Sequence, residues 1–494
     1  MDGSTYTLIA VIIYGLGIIS LVVFGKRYQG SLESFAIGSR KDNPIFVGLS
    51  LAANMTSAAT FVINPGLVYL YGFSGFLGYA VAAPLGIFVA LVIMSKRFRV
   101  IGDQFKVLTI PQWIGERFSS NAFRLFFAVL SLLQITFIVL IAVGITIVLA
   151  KVLSAPYQII LLIVLIFTLS YIMLGGASIH ILTNSFQGFI MAAVAVLLLA
   201  SGPVFGQLSI TEIFGRLKEI DPNLVAVTNP DSILFRDLFE VFIANFIVGI
   251  AIICQPHILS KALYLRSEKD VNTYLITTII VGSLFFFVLF AGLYARVFLA
   301  GGLLPPDQSM AAYINEIFPA PLLAVVTLGI LAAGFSTLEG LFIALSTIFS
   351  IDLLQTGLKY KLNSISEDKK QSFFLKASRY FLVVLAIAVY GFSVQQIENP
   401  SLSVAIFAQN GVYGLFVATF WPIFLGIFFK KIKVWIPAVG AILGLIIHFG
   451  MYYGNITHYS TNPGVCAAVA LLISGIFIFL AIGYTLIRRQ YADN

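Results

Sequence analysis

Thirteen runs of roughly twenty predominantly apolar residues, the length a helix needs to cross a bilayer's hydrocarbon, constrain this 494-residue chain more than any other feature. They fall at 6–25, 44–70, 73–95, 125–150, 157–174, 177–202, 237–258, 272–298, 321–350, 377–396, 402–429, 434–453 and 464–487. The fold expected is an all-α polytopic membrane protein of about 13 transmembrane helices. Charged residues make up 10% of the chain and hydrophobic ones 60%, where soluble domains carry roughly 25% and 45–50%. No polar linkers divide the chain, so a water-soluble multidomain enzyme is excluded. The longest loops, near 203–236 and 351–376, are too short for a catalytic domain with its own core. Chemistry must therefore reside in the spans.

The net charge of +8 is an orientation signal rather than a nucleic-acid footprint. Cytoplasmic loops concentrate Lys and Arg, and a chain with its N-terminus outside and C-terminus inside puts 24 of its 29 basic residues on the inner side. Lys261 is counted there, with Arg266 and Lys269, in the loop after span 7. Cys254 and Cys466 lie far apart in apolar sequence, and His180, His257, His448 and His458 have no ligand spacing. Neither a disulfide framework nor a structural metal is expected. No basic region precedes the first run, so residues 6–25 read as a retained span. Short surface helices are expected at Thr211–Glu219 and Pro305–Phe318, and an interfacial amphipathic turn at Pro111–Phe118. Trp113 and Trp435 fall near the proposed interfaces and Trp421 inside a span.

Two spans look broken. Span 2 contains Ala52-Ala53-Asn54-Met55-Thr56-Ser57-Ala58-Ala59-Thr60, small and polar at mid-membrane, with Pro65-Gly66 beyond. Span 7 contains Asn245, Gly249 and then Cys254-Gln255-Pro256-His257. Small and hydroxyl residues also serve helix packing. However, spans 2–6 and 7–11 form two sets of five, and an odd number inverts the second set relative to the first. Interrupted helices at matching places in inverted repeats point to a transporter's central site. The chain then divides into an extra N-terminal helix (6–25), a first five-helix repeat (44–202), an inverted second repeat (237–429) and two C-terminal helices (434–487).

Span 9 offers a matching polar face. Ala333, Ser336 and Thr337 stand at i, i+3 and i+4 and share one side of a helix. One carbonyl and two hydroxyls there, opposite two carbonyls freed by unwinding at Ala52–Met55, would make five neutral oxygens. Hard cations take oxygen ligands, and a cage without formal charge can release a monovalent ion. The other reading is a Ser/Thr pair bonding back to its own helix.

At these residues the chain resembles the sodium:solute symporter family, with its leucine-transporter-like inverted repeats. The resemblance spans nearly the whole chain and includes Phe35-Ala36-Ile37-Gly38-Ser39-Arg40 before span 2 and Gly175-Gly176 before span 6. It implies a sodium ion held by Ala333, Ser336 and Thr337 with the main-chain carbonyls of Ala52 and Met55. It also implies a transporter of the cell membrane rather than an enzyme, with no organic cofactor. Two departures stand out. Many members have Asp where this chain has Asn54, and Thr-Asp where it has Thr183-Asn184. The second Asp serves an additional sodium site in some members. At the places of that site's hydroxyls stand Glu339 and Gly340.

Glu339 is the one acid expected near the bilayer centre, where an isolated charge costs about 2.5–3.5 kcal/mol on insertion scales. With Asn184 it forms a candidate second cation site or a proton site; the alternative is a neutral carboxyl hydrogen-bonded in the bundle. Ser57-Ala58-Ala59-Thr60-Phe61, Pro65-Gly66 and Pro256-His257-Ile258-Leu259 look most like the pantothenate and monocarboxylate branch. That implies a small, anionic organic solute. The candidate substrate-binding set is Asn54, Thr56, Ser57, Thr60, Gln134, Gln255 and Gln409. The expected activity is Na+-coupled symport by alternating access. Proton coupling, an amino-acid or sugar substrate, and a transporter-like sensor stay open, as does a membrane enzyme. His180 and Asn184 share a face, but no partner acid is near in sequence.

Overall fold

The computed structural model describes residues 3–25, 43–299, 302–358, 366–399 and 403–492. Among these the chain is helical, without a β-sheet. Eleven helices are long and apolar enough to cross a membrane, and two bent helix pairs bring the total to thirteen. The bent pairs are Pro44–Met55 with Ala59–Tyr71, at 54°, and Phe239–Ile252 with Pro256–Tyr264, at 60°. They are spans 2 and 7, the two whose sequences look broken. The Phe35–Arg40 motif lies outside the described residues.

Each break has a local cause. At Thr56 the backbone turns extended, and both its N–H and its hydroxyl donate to the Ala52 carbonyl, ending the first half-helix. Ser57 then accepts from the Ala59 N–H through its side chain, starting the second half. In span 7 Gln255 is extended and Pro256 opens the next helix. A residue before proline is disfavoured in the helical region, while proline suits a first helical position.

Span 9 (Ala320–Gly357) runs through the centre and is largely buried. Spans 5 and 6 (Tyr157–Leu174 and His180–Phe205) pack beside it, their junction helical in backbone. The N-terminal helix Gly3–Gly25 is fixed by Tyr14, which stacks on Phe335 and accepts from Gln187. Span 3 (Phe73–Gln104) meets the first half of span 7 backbone to backbone. A Cβ on Gly86 would lie 2.2 Å from the Phe246 carbonyl oxygen, and one on Gly249 2.1 Å from that of Ala83.

The short helices form at Ile210–Ile220, with a Ser209–Glu212 capping box, and at Pro306–Ile317. The second is not a surface element, since Met310, Ala311, Tyr313 and Ile314 are buried. The stretch expected as an interfacial turn is the helix Ile110–Arg117, and it faces protein. Trp113 is fully buried, stacked on Phe98, and donates its indole N–H to the Phe98 carbonyl. Span 7 also ends later than its apolar run suggests, at Tyr264 rather than 258. Lys261 thus sits in a half-helix of the bundle and not in the expected loop.

Candidate functional site

Where span 2 breaks, its first half ends against span 9. Ser336 Oγ donates toward the carbonyls of Ala53, at 3.1 Å, and Ala333, at 2.9 Å. Thr337 Oγ1 stands 3.2 Å from the Asn54 carbonyl and 3.3 Å from that of Ala333. Ala333, Ser336 and Thr337 therefore share the expected face, and that face meets the unwound end of span 2. The carbonyls opposite the hydroxyls are those of Ala53 and Asn54, whereas Ala52 and Met55 were expected. The Ala52 carbonyl is turned into its own helix end, occupied by Thr56. All these groups are buried and none carries a formal charge. Such an oxygen set fits a hard monovalent cation.

Beside this junction lies a cavity of about 110 Å³ between both breaks and spans 3, 4, 8 and 11. Its polar lining comes from Ser57, Thr60 and Asn64 of span 2, Asn245 and Gln255 of span 7, and Gln409. Tyr79, Phe137, Phe286, Tyr413 and Phe416 supply aromatic walls. No charged side chain lines it. Gln409 and Tyr79 bond each other across it, amide nitrogen to phenol at 3.0 Å. Of the seven candidate substrate residues, Ser57, Thr60, Gln255 and Gln409 line this cavity. Thr56 is spent on its helix end, Gln134 is buried in span 4 away from the cavity, and Asn54 points the other way. Asn64, Asn245, Tyr79 and Tyr413 were missed. Asn245 was visible as a polar residue in a broken span. The tyrosines carried no signal distinguishing them from the chain's other 19.

On the far side of span 2, spans 2, 6, 7 and 9 enclose a polar cluster. Glu339, 2% exposed, accepts from Thr183 Oγ1 at 3.1 Å through both oxygens. It also stands 3.2 Å from His180 Nδ1. An acid that the sequence did not reveal thus lies beside His180, brought from 159 positions away in the chain. Asn184 Nδ2 stands 2.8 Å from the end of the Asn54 amide rather than on Glu339. Lys261, 1% exposed, donates to the carbonyl and hydroxyl of Ser50. With the Asn54 oxygen turned toward it, that oxygen accepts from Lys261 Nζ at 3.2 Å, and the Asn54 nitrogen donates to the Ser336 carbonyl. Gly340 gives this amide room, since a Cβ there would lie 2.7 Å from Asn54 Nδ2. Among the described residues no three His, Cys, Asp or Glu side chains group as metal ligands.

Residues 35–448 match the model of the sodium:solute symporter family. The chain is 25% identical over 454 residues to the sodium/pantothenate symporter of Haemophilus influenzae, covering 90% of this chain and 89% of that protein. It is 24% identical to the sodium/pantothenate symporter of Escherichia coli, covering 94% and 93%. A solved structure of a substrate-bound, outward-open Na+-coupled sialic acid symporter superposes with a TM-score of 0.78 at 18% identity, covering 96% of this chain and 97% of that one.

Proposed function

Because the chain belongs to the sodium:solute symporter family, a family of multi-pass membrane transporters, we propose that it couples sodium entry to uptake of a small organic carboxylate, a monocarboxylate or pantothenate-like solute. The observation carrying this reading is the adjacency of two sites at one helix break. A neutral oxygen cluster from Ala333, Ser336, Thr337 and the end of the Pro44–Met55 half-helix lies on one side. The uncharged cavity reached by Ser57, Thr60 and Gln255 lies on the other.

In this reading the sodium ion replaces the hydroxyl-to-carbonyl bonds between spans 2 and 9, accepting the Ser336 and Thr337 oxygens and carbonyls of Ala52–Met55 as ligands. It thereby fixes the two spans against each other. The solute's carboxylate takes donors from Ser57, Thr60 and Gln255, which stand where the second half-helices begin and their N-terminal ends favour an anion. The apolar remainder of the solute rests on the aromatic walls. Without a basic side chain in the cavity, the anion's counter-charge is the sodium ion itself, which makes binding of the two cooperative. The bundle then rocks and opens the site to the cytoplasm. The ion drives this only by binding one state more tightly than the other.

The test is uptake of radiolabelled D-pantothenate and acetate by proteoliposomes under an inward sodium gradient, with choline in place of sodium as control. Sodium-dependent uptake of at least one is expected. Uptake of a solute without a carboxylate, such as glucose or myo-inositol, in place of both would overturn the carboxylate assignment, and equal uptake in choline would overturn sodium coupling.

A further inference from the structure

The Lys261 amine is buried inside span 7, 1% exposed. Its three N–H donors meet three oxygens: the Ser50 carbonyl at 3.3 Å, the Ser50 hydroxyl, and the Asn54 side-chain oxygen at 3.2 Å. All three belong to the last turns of the Pro44–Met55 half-helix, the end at which a helix concentrates negative potential. Lys261 therefore occupies a ring of oxygens much as an inorganic cation would.

Its counter-charge is Glu339. The two lie in one buried polar cluster, with Asn54, Asn184 and His180 between them. Lys261 donates to the Asn54 oxygen when that oxygen is turned toward it, and Asn184 Nδ2 lies 2.8 Å from the other terminal atom of that amide and 3.4 Å from His180 Nε2. His180 Nδ1 in turn faces Glu339 at 3.2 Å. A lone carboxylate in such a place would be costly and would draw a cation from solution. Here the chain brings its own. The space left beside Lys261, His180 and Gly340 is about 20 Å³, room for a single water.

We propose that Lys261 is a tethered counter-cation for Glu339, so that this cluster takes no sodium ion and one sodium ion, held between spans 2 and 9, is carried per cycle. Amine and carboxyl together sum to zero net charge whichever of them holds the shared proton, and an incoming ion finds no uncompensated negative charge. The inference rests on the sodium-coupled reading above.

The experiment counts 22Na+ bound per chain at saturation on the purified full-length protein in detergent. One ion is expected for wild type, two for Lys261→Met, and one again for Lys261→Met combined with Glu339→Gln, which restores neutrality. Two ions on wild type would overturn the proposal, as would a single ion on a folded Lys261→Met protein. If that variant does not fold, the wild-type count still decides. No bound sodium on wild type would overturn the sodium-coupled reading itself, and this inference with it.

Discussion

Ser336 and Thr337 are the residues on which sodium affinity should turn most directly. Each hydroxyl now satisfies carbonyls at the end of the first half of span 2, and each is expected to become an ion ligand. Removing one of about five neutral oxygens should weaken sodium binding on the scale of one good polar interaction, about 1.5 kcal/mol, or roughly tenfold in affinity. Ser336→Ala and Thr337→Ala should therefore raise the half-saturating sodium concentration about tenfold, with the solute's maximal uptake rate at saturating sodium nearly kept. A sodium dependence identical to wild type in both variants would remove these side chains from the coupling site. Their shared face was legible because i, i+3, i+4 spacing is a property of any helix. Which carbonyls they meet was not, since that depends on how far Thr56 unwinds the chain. Lys261 was illegible for a different reason. Hydropathy treats a lysine at the end of an apolar run as the first loop residue, and only the fold reveals that Ser50, Asn54 and Glu339 are waiting for it.

Helices, rather than single side chains, explain why the two breaks can work as a site. A kinked helix at membrane depth leaves backbone groups without partners, tolerable only when neighbours cover them. Span 3 covers span 7 by direct backbone contact at Gly86 and Gly249. A side chain at either position has nowhere to go without separating the helices, and overpacking of this kind costs about 1–3 kcal/mol or more. Gly249→Leu should lower the Tm of the detergent-solubilised protein and abolish uptake. Gly17→Leu on the N-terminal helix, where a Cβ would have nothing within 4 Å, should leave both unchanged. Equal Tm values for the two variants would refute close packing as the role of Gly249. At element scale the sequence was most informative about existence and irregularity: thirteen apolar runs, two of them broken by Thr-Ser and Gln-Pro. It was least informative about ends. Span 7 continues six residues past its apolar run, and Ile110–Arg117 is a buried helix because Trp113 fills a protein pocket rather than a lipid headgroup layer. Polarity marks water in a loop but marks a partner in a bundle, and one chain read alone does not distinguish them.

For the molecule as a whole, what matters is the charge that crosses the membrane in each cycle. The central cavity contains no charged side chain, and with Lys261 as the proposed counter-cation of Glu339 the protein contributes no net charge to the moving site. The transported charge is then that of the cargo alone. One sodium ion with one monovalent carboxylate is electroneutral, whereas two sodium ions with the same anion, or one with a neutral solute, carry +1 inward. A potential of −100 mV is worth about 2.3 kcal/mol per charge, about a fifty-fold change in steady-state accumulation at roughly 1.36 kcal/mol per decade. In proteoliposomes with a fixed sodium gradient and D-pantothenate as solute, the accumulation ratio should be the same at 0 mV and at an imposed −100 mV. A rise approaching fifty-fold would show that a net positive charge moves. Read with the sodium count per chain, it would say whether the extra charge is a second sodium ion or one that the protein itself moves.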